Sequence, residues 1–172
     1  MQRMFLFFAA LALWLALSAF SDGSGLYSLT VDPSFKFDHK NSAPPIGTVY
    51  AFIRPSRDGQ LLVMSDNAKE LDGYPSLHNA LVAMVTRSGD RVTEEKPYTV
   101  AGRSCLYAAG RDASQKIVTV SRYMLCFVPT TRQDVPIAAL VINIEIAESD
   151  AAKFDSVFWQ AVGSLRWGPL VR

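Results

Sequence analysis

Histidine and cysteine are both scarce in this chain, with two of each in 172 residues. No HxH, HExxH, CxxC or Cys-His cluster can be assembled from them, so the sequence has little with which to build a transition-metal site, and no cofactor is expected. The Gly-x-Ser-x-Gly turn of an esterase-type nucleophile is also missing, since Ser104 follows Gly102-Arg103 but is followed by Cys105-Leu106. No glycine-rich turn leads into Lys-Ser or Lys-Thr at a helix start, which leaves no phosphate-binding loop. No run of like charge is longer than Glu94-Glu95. A chain without basic clusters lacks what binds nucleic acid by counterion release, or an anionic membrane surface by attraction. Low-complexity segments and internal repeats are absent as well. The remaining chemistry-bearing residues are unremarkable in pattern. His39 lies in a polar stretch, where a catalytic base would need a nucleophile that the sequence does not place. His78 sits on the flank of a helical pattern. Asp32, Asp38, Asp66, Glu70 and Asp72 fall in loops, at separations that cannot be read as a paired-carboxylate site.

What is present begins at the N-terminus. A short basic start (Met1, Gln2, Arg3) precedes an uncharged run over 4–17 carrying Phe5, Leu6, Phe7, Phe8, Leu11, Leu13, Trp14, Leu15 and Leu17. Small residues follow, and Ala19-Phe20-Ser21 offers a small-x-small cleavage pattern. This is the three-part layout of a secretory signal. As a helix the apolar run would rise roughly 21 Å, short of a hydrocarbon core of ~30 Å, so a cleavable signal over 1–21 is expected rather than a membrane span. The cut falls after Ala19 or Ser21, and no cysteine lies near it to accept a lipid. Taking 21 residues off 172 leaves 151, one domain large enough for a core. The signal removes one of 17 basic side chains, so the mature chain balances 16 against 16 and should be soluble.

Along 22–172 the hydrophobic period alternates between two and 3.6. Strands are expected over 26–31, 48–54 and 61–64, with a hairpin turn at Asp58-Gly59 between the last two. Residues 32–45 read as a long polar loop. Ser76 can cap a helix to about Arg87, in which Leu77, Ala80, Leu81, Met84 and Val85 share one face, and Ser88-Gly89-Asp90 ends it. Pro97 confines 91–99 to an edge or an irregular strand. Residues 100–108 and 116–128 form two arms of a hairpin. The clearest strand is 136–147, where Ala138, Leu140, Ile142, Ile144 and Ile146 make one dry face, and Asn143 and Glu145 turn the other polar. Ser149 is expected to cap the last helix, with Ala151, Phe154, Val157, Phe158, Ala161, Val162 and Leu165 as its buried stripe and Gly168-Pro169 as its stop. Trp159 and Trp167 are placed on that helix as packing or rim residues. The sum is an α+β domain with a mainly antiparallel sheet of about seven strands and two helices packed on it.

Cys105 and Cys126 can close one disulfide, or can lie as two buried thiols on neighbouring strands. Export favours the bond. Neither sits at a helix start that would lower its pKa, although Arg103 is near Cys105, so neither is expected to be a nucleophile.

The order of elements (early strands, a helix, a meander of long strands, a closing helix with Phe158, Leu165 and Trp167) resembles the Mog1/PsbP-like sandwich over most of the mature chain. That resemblance implies a fold and no catalytic residues. In size, cleavable signal without a lipid-accepting cysteine, and protruding hairpin, the chain also resembles periplasmic immunity proteins that neutralise type VI secretion peptidoglycan amidases. The resemblance implies a non-enzymatic inhibitor in the periplasm of a Gram-negative bacterium. Its one partner would be a cysteine amidase effector, with no nucleic acid and no membrane after signal cleavage. The alternative is a non-enzymatic accessory of a cell-envelope complex. The loop expected to enter the amidase groove is Gly110, Arg111, Asp112, Ala113, Ser114 and Gln115. There Gly110 would permit a tight turn, Ala113 and Ser114 are slim, Ser114 can donate and accept, and Arg111 and Asp112 would make flanking contacts. Residues 54–60 and 129–136 are the other candidate loops.

Overall fold

A computed structural model of the chain describes residues 18–21, 26–43, 47–56, 58–67, 76–114, 116–127 and 137–168. The apolar run expected to act as a signal, Gln115, and the whole of the 129–136 loop lie outside the described residues. Among the described residues ten strands form two sheets. The small sheet is β1 (Ser18–Ser21), β2 (Tyr27–Val31) and β10 (Arg166–Trp167), with β2 in the middle. The large sheet has seven strands: β3 (Lys36–Ala43), β4 (Gly47–Ile53), β5 (Gly59–Asn67), β6 (Arg91–Val100), β7 (Arg103–Asp112), β8 (Thr119–Phe127) and β9 (Ile137–Ala147). They lie in the order β3-β4-β5-β9-β8-β7-β6, and every neighbouring pair is antiparallel. Helix α1 (Leu77–Arg87) covers one face of this sheet and α2 (Ala151–Ser164) the other.

The alternation in β9 decides where the layers go. Leu140, Ile142, Ile144 and Ile146 join Phe154, Val157, Phe158, Ala161 and Val162 of α2 in the main core, together with Leu26, Leu29 and Val31 around β2. Ala139 and Val141, pointing the other way, meet Ala80, Leu81 and Val85 of α1 in a second core. The expected α+β layering is therefore present, with the odd face of β9 dry only where α1 lies on it.

Both helix ends of α1 follow from sequence. Ser76 is extended, and its Oγ accepts from the Asn79 backbone N–H. At the other end Gly89 takes a positive φ of 90°. Its N–H donates to Thr86 O, and the Asp90 N–H donates to Val85 O, the paired bonds of a Schellman cap. Three expectations for the rest of the chain are corrected. Residues 32–45 are not all loop, because 36–43 pair with β4 as an edge strand. Ser149 does not cap α2: Glu148–Asp150 form a 3-10 turn, and Asp150 stands at the N-cap without a side-chain hydrogen bond. And α2 stops at Ser164, before Gly168, because Arg166–Trp167 pair with β2, so Trp167 belongs to a strand. The Trp167 indole N–H donates to Val100 O at 3.4 Å, and the Ser164 hydroxyl accepts from the Thr30 N–H at 2.7 Å.

Cys105 and Cys126 face each other across β7 and β8 and are bonded as a disulfide. Proteins form and keep such bonds in oxidising, extracytoplasmic compartments. No helix among the described residues is long and apolar enough to cross a membrane.

A buried polar knot ties α1 to the sheet. Ser121 Oγ donates to Asp90 Oδ2 at 2.5 Å, and Ser88 Oγ and Tyr123 Oη reach the same oxygen at 3.1 and 3.3 Å. Burial raises the Tyr123 hydroxyl pKa above its ordinary value. Gly110 packs directly on this knot. A Cβ there would come within 2.6 Å of Ser121 Oγ and 2.8 Å of Asp90 Cβ. Gly110→Ala is therefore expected to cost about 1–3 kcal/mol by overpacking, read as a lower urea midpoint at unchanged slope.

Candidate functional site

One end of the large sheet gathers the start of β3, the β4–β5 turn, the end of β9 and the stretch that leads into β8 at Ile117 and Thr119. Between them lies an open cleft of about 720 Å³, whose walls include Lys36, Phe37, Asp38, Arg54, Asp58, Gln60, Ile117 and Glu145. Two of its acidic side chains are held in place from within the cleft wall. Arg54 Nη1 lies 2.7 Å from Asp58 Oδ1, and its guanidinium stacks 4.0 Å above the Phe154 ring. Gln60 Nε2 donates to Glu145 Oε2 at 2.9 Å across β5 and β9. The Ser56 hydroxyl donates to the Asp58 carboxyl and, with the help of Arg54, holds its pKa below the usual aspartate value.

The rim is apolar. Phe37 is 58% exposed and Ile117 65% exposed, the two most exposed of the large hydrophobic side chains described. Phe37 lies on the edge strand β3, opposite Phe52 and just before a bulge at Asp38, and its ring meets Phe52 edge-on at 5.8 Å. Ile117 reaches it because the hairpin carries it past the end of β9, where Glu148 N–H donates to Val118 O at 2.9 Å.

The expected binding loop lies at this same end, but its residues divide between strand and turn. Gly110, Arg111 and Asp112 extend β7, paired with Ser121, Val120 and Thr119. The turn begins at Ala113, and Gly110 serves close packing rather than chain reversal. Arg111 is bound on its own molecule: Nε donates to Glu148 Oε1 at 2.8 Å and Nη2 to Oε2 at 3.1 Å. Asp112 is buried, and its Oδ1 accepts from both the N–H (2.7 Å) and the hydroxyl (2.6 Å) of Ser114. Such an Asx turn holds the tip in one shape. Ala113 and Ser114 are exposed. The fork from Arg111 lowers the Glu148 carboxyl pKa and raises that of the guanidinium. Because the folded-state pKa of Glu148 is depressed, the bond contributes above the ordinary glutamate pKa and is lost as pH falls through the lowered one. A carboxyl-detected NMR titration is expected to place Glu148 below an ordinary glutamate, and Arg111→Gln to return it to the ordinary range.

Beside the cleft His39 Nδ1 lies 2.5 Å from Asp38 Oδ2, and away from it His78 Nδ1 lies 2.5 Å from Glu95 Oε1, both histidines being exposed. Ser104 sits on β7 opposite Thr99, remote in the ladder from either histidine. Among the described residues no group of three His, Cys, Asp or Glu side chains is placed to hold a metal ion. Sequence reasoning missed Phe37 and Ile117. The one signal available for Phe37 was a lone aromatic between charged neighbours.

These layers define a class: an α+β domain with helices on both faces of an antiparallel sheet. No protein-family model matches the chain, and no curated protein matches it. Among solved structures it is similar to PA94 of Pseudomonas aeruginosa, a protein of unknown function described as a candidate regulator. The two share 10% identity and a TM-score of 0.51, over 89% of this chain and 98% of that one. It is also similar to LpqN of Mycobacterium tuberculosis, described as involved in cell envelope biogenesis, at 10% identity and a TM-score of 0.48, over 90% and 79% of the two chains. At 10% identity the likeness to PA94 is one of fold.

Proposed function

We propose that this chain is an exported, non-catalytic binding protein that works by obstruction: a periplasmic immunity protein that plugs the groove of a peptidoglycan-cleaving cysteine amidase delivered by type VI secretion. The observation that carries the reading is the pair Phe37 and Ile117, standing exposed on the rim of a cleft whose frame is braced from within. Exposed apolar anchors beside satisfied polar groups are what a protein interface uses at its centre and rim. The bracing by Arg111–Glu148 and Asp112–Ser114 means the tip would lose little conformational entropy on docking. The disulfide supports export.

In this reading Ala113, Ser114 and Ile117 enter the partner's groove, and Arg111 and Asp112 act through the shape of the tip rather than by contact. Gly110 supports them from the core. The test is co-expression with periplasm-directed cysteine amidases. Lysis by the cognate amidase is expected to be suppressed by the wild-type chain. The double variant Phe37→Asp with Ile117→Asp, melting as the wild type does, is expected to give no protection. Lysis by every amidase at the wild-type rate ends the proposal.

A further inference from the structure

Strand β1 lies in the segment where a signal cut would fall, and it is part of the fold. It pairs along the outer edge of β2, with Ala19 opposite Thr30, Phe20 opposite Leu29 and Ser21 opposite Ser28. The Phe20 ring packs edge-on against Tyr50 at 4.9 Å and Phe52 at 5.1 Å, and lies 6.3 Å from Tyr27. Tyr27 belongs to the small sheet, and Tyr50 and Phe52 to β4 of the large one, so Phe20 is a wedge between the two sheets. With it in place these three rings are only 3%, 7% and 5% exposed.

A cut after Ser21 removes the wedge and the strand together. It leaves the edge of β2 unpaired from Ser28 to Val31 and opens a pit between three aromatic rings. Bare edges and apolar pits of this kind invite aggregation. The small-x-small rule is met a second time, three residues earlier, by Ala16-Leu17-Ser18, whereas a cut after Ala19 would put the large Leu17 at the first small position. We infer that the export signal is cut after Ser18, so that the mature chain begins at Ala19 and keeps Phe20 seated between the sheets. Water hydrolyses the Ser18–Ala19 amide, leaving a carboxylate on Ser18 and a free amine on Ala19. That amine stands at the first paired residue of a β1 shortened by one.

This rests on the export reading, and one measurement separates the two. The full chain is expressed in a Gram-negative host, and the protein recovered from the periplasm is weighed intact. A mass for residues 19–172 carrying the disulfide is the expected result. A mass starting at Phe20, Asp22 or any other residue overturns the cut position while leaving export standing. A full-length chain in the cytoplasm overturns both. A second comparison tests the wedge itself, using chains starting at Ala19 and at Asp22 exported behind a foreign signal. The shorter one is expected to melt at least about 5 °C lower. Equal melting temperatures overturn the structural ground for the cut.

Discussion

Replacing Cys105 and Cys126 together by alanine is expected to lower the folding stability by about 3 kcal/mol. The two lie 21 residues apart in sequence, and their bond closes that loop in the unfolded chain. Its loss frees the denatured ensemble more than it alters the native state, because β7 and β8 already bring the two positions face to face through eight paired positions from Cys105 to Asp112. Both side chains are buried, at 3% and 1% exposure, so alanine leaves a small void but no unsatisfied hydroxyl, as serine would. The urea midpoint should fall while the native circular dichroism is retained. Dithiothreitol should bring the wild type to the same midpoint and leave the double variant where it was. Reduction that moves nothing would place the stabilisation elsewhere.

Phe158→Ala is expected to cost more, about 3–5 kcal/mol. The ring is fully buried at the centre of α2, against Tyr107 at 6.1 Å and Trp159 at 5.1 Å. Its removal opens a hole where α2, the large sheet and β2 meet, and the surrounding sheet cannot collapse to fill it. Phe37→Ala is the contrasting case. With more than half its surface in water, that ring should change stability by no more than about 0.5 kcal/mol. An aromatic residue that contributes little to folding and much to protection is the signature expected of an interface anchor.

Those contrasts also show which parts of the molecule could be read from its residues. The strand over 137–147 and both helices were legible, because each buries a periodic face against another element, and periodicity is what a sequence records best. Ser76 and Gly89 were legible because capping is local chemistry. The pairing of Cys105 with Cys126 was open between bond and free thiols until the register placed them opposite. Strand β3 was not legible. Its eight residues, KFDHKNSA, contain one large apolar side chain, and an edge strand held by ladder bonds alone carries no alternation. The turn between β6 and β7 was hidden for another reason. Ala101 and Gly102 both take positive φ, of 48° and 80°, and alanine gives no warning of that. The short β10 exists only through pairing with β2, well over a hundred residues away, and β1 lies where an export signal was expected to end.

The candidate site was half legible for the same reason. The hairpin end is legible, but the two exposed apolar residues that mark its rim come from the unexpected edge strand β3 and from a position beyond the last ladder pair. Gly110 drew notice as a turn residue, yet its value lies in the absent Cβ beside Ser121 and Asp90.

The most direct check on obstruction by this end of the sheet is amide hydrogen exchange of the chain, free and bound to the amidase it protects against. Slowed exchange on binding should be concentrated at Phe37, Ala113, Ser114 and Ile117. Protection along the β6 edge or over α1, with those four amides unchanged, would contradict it.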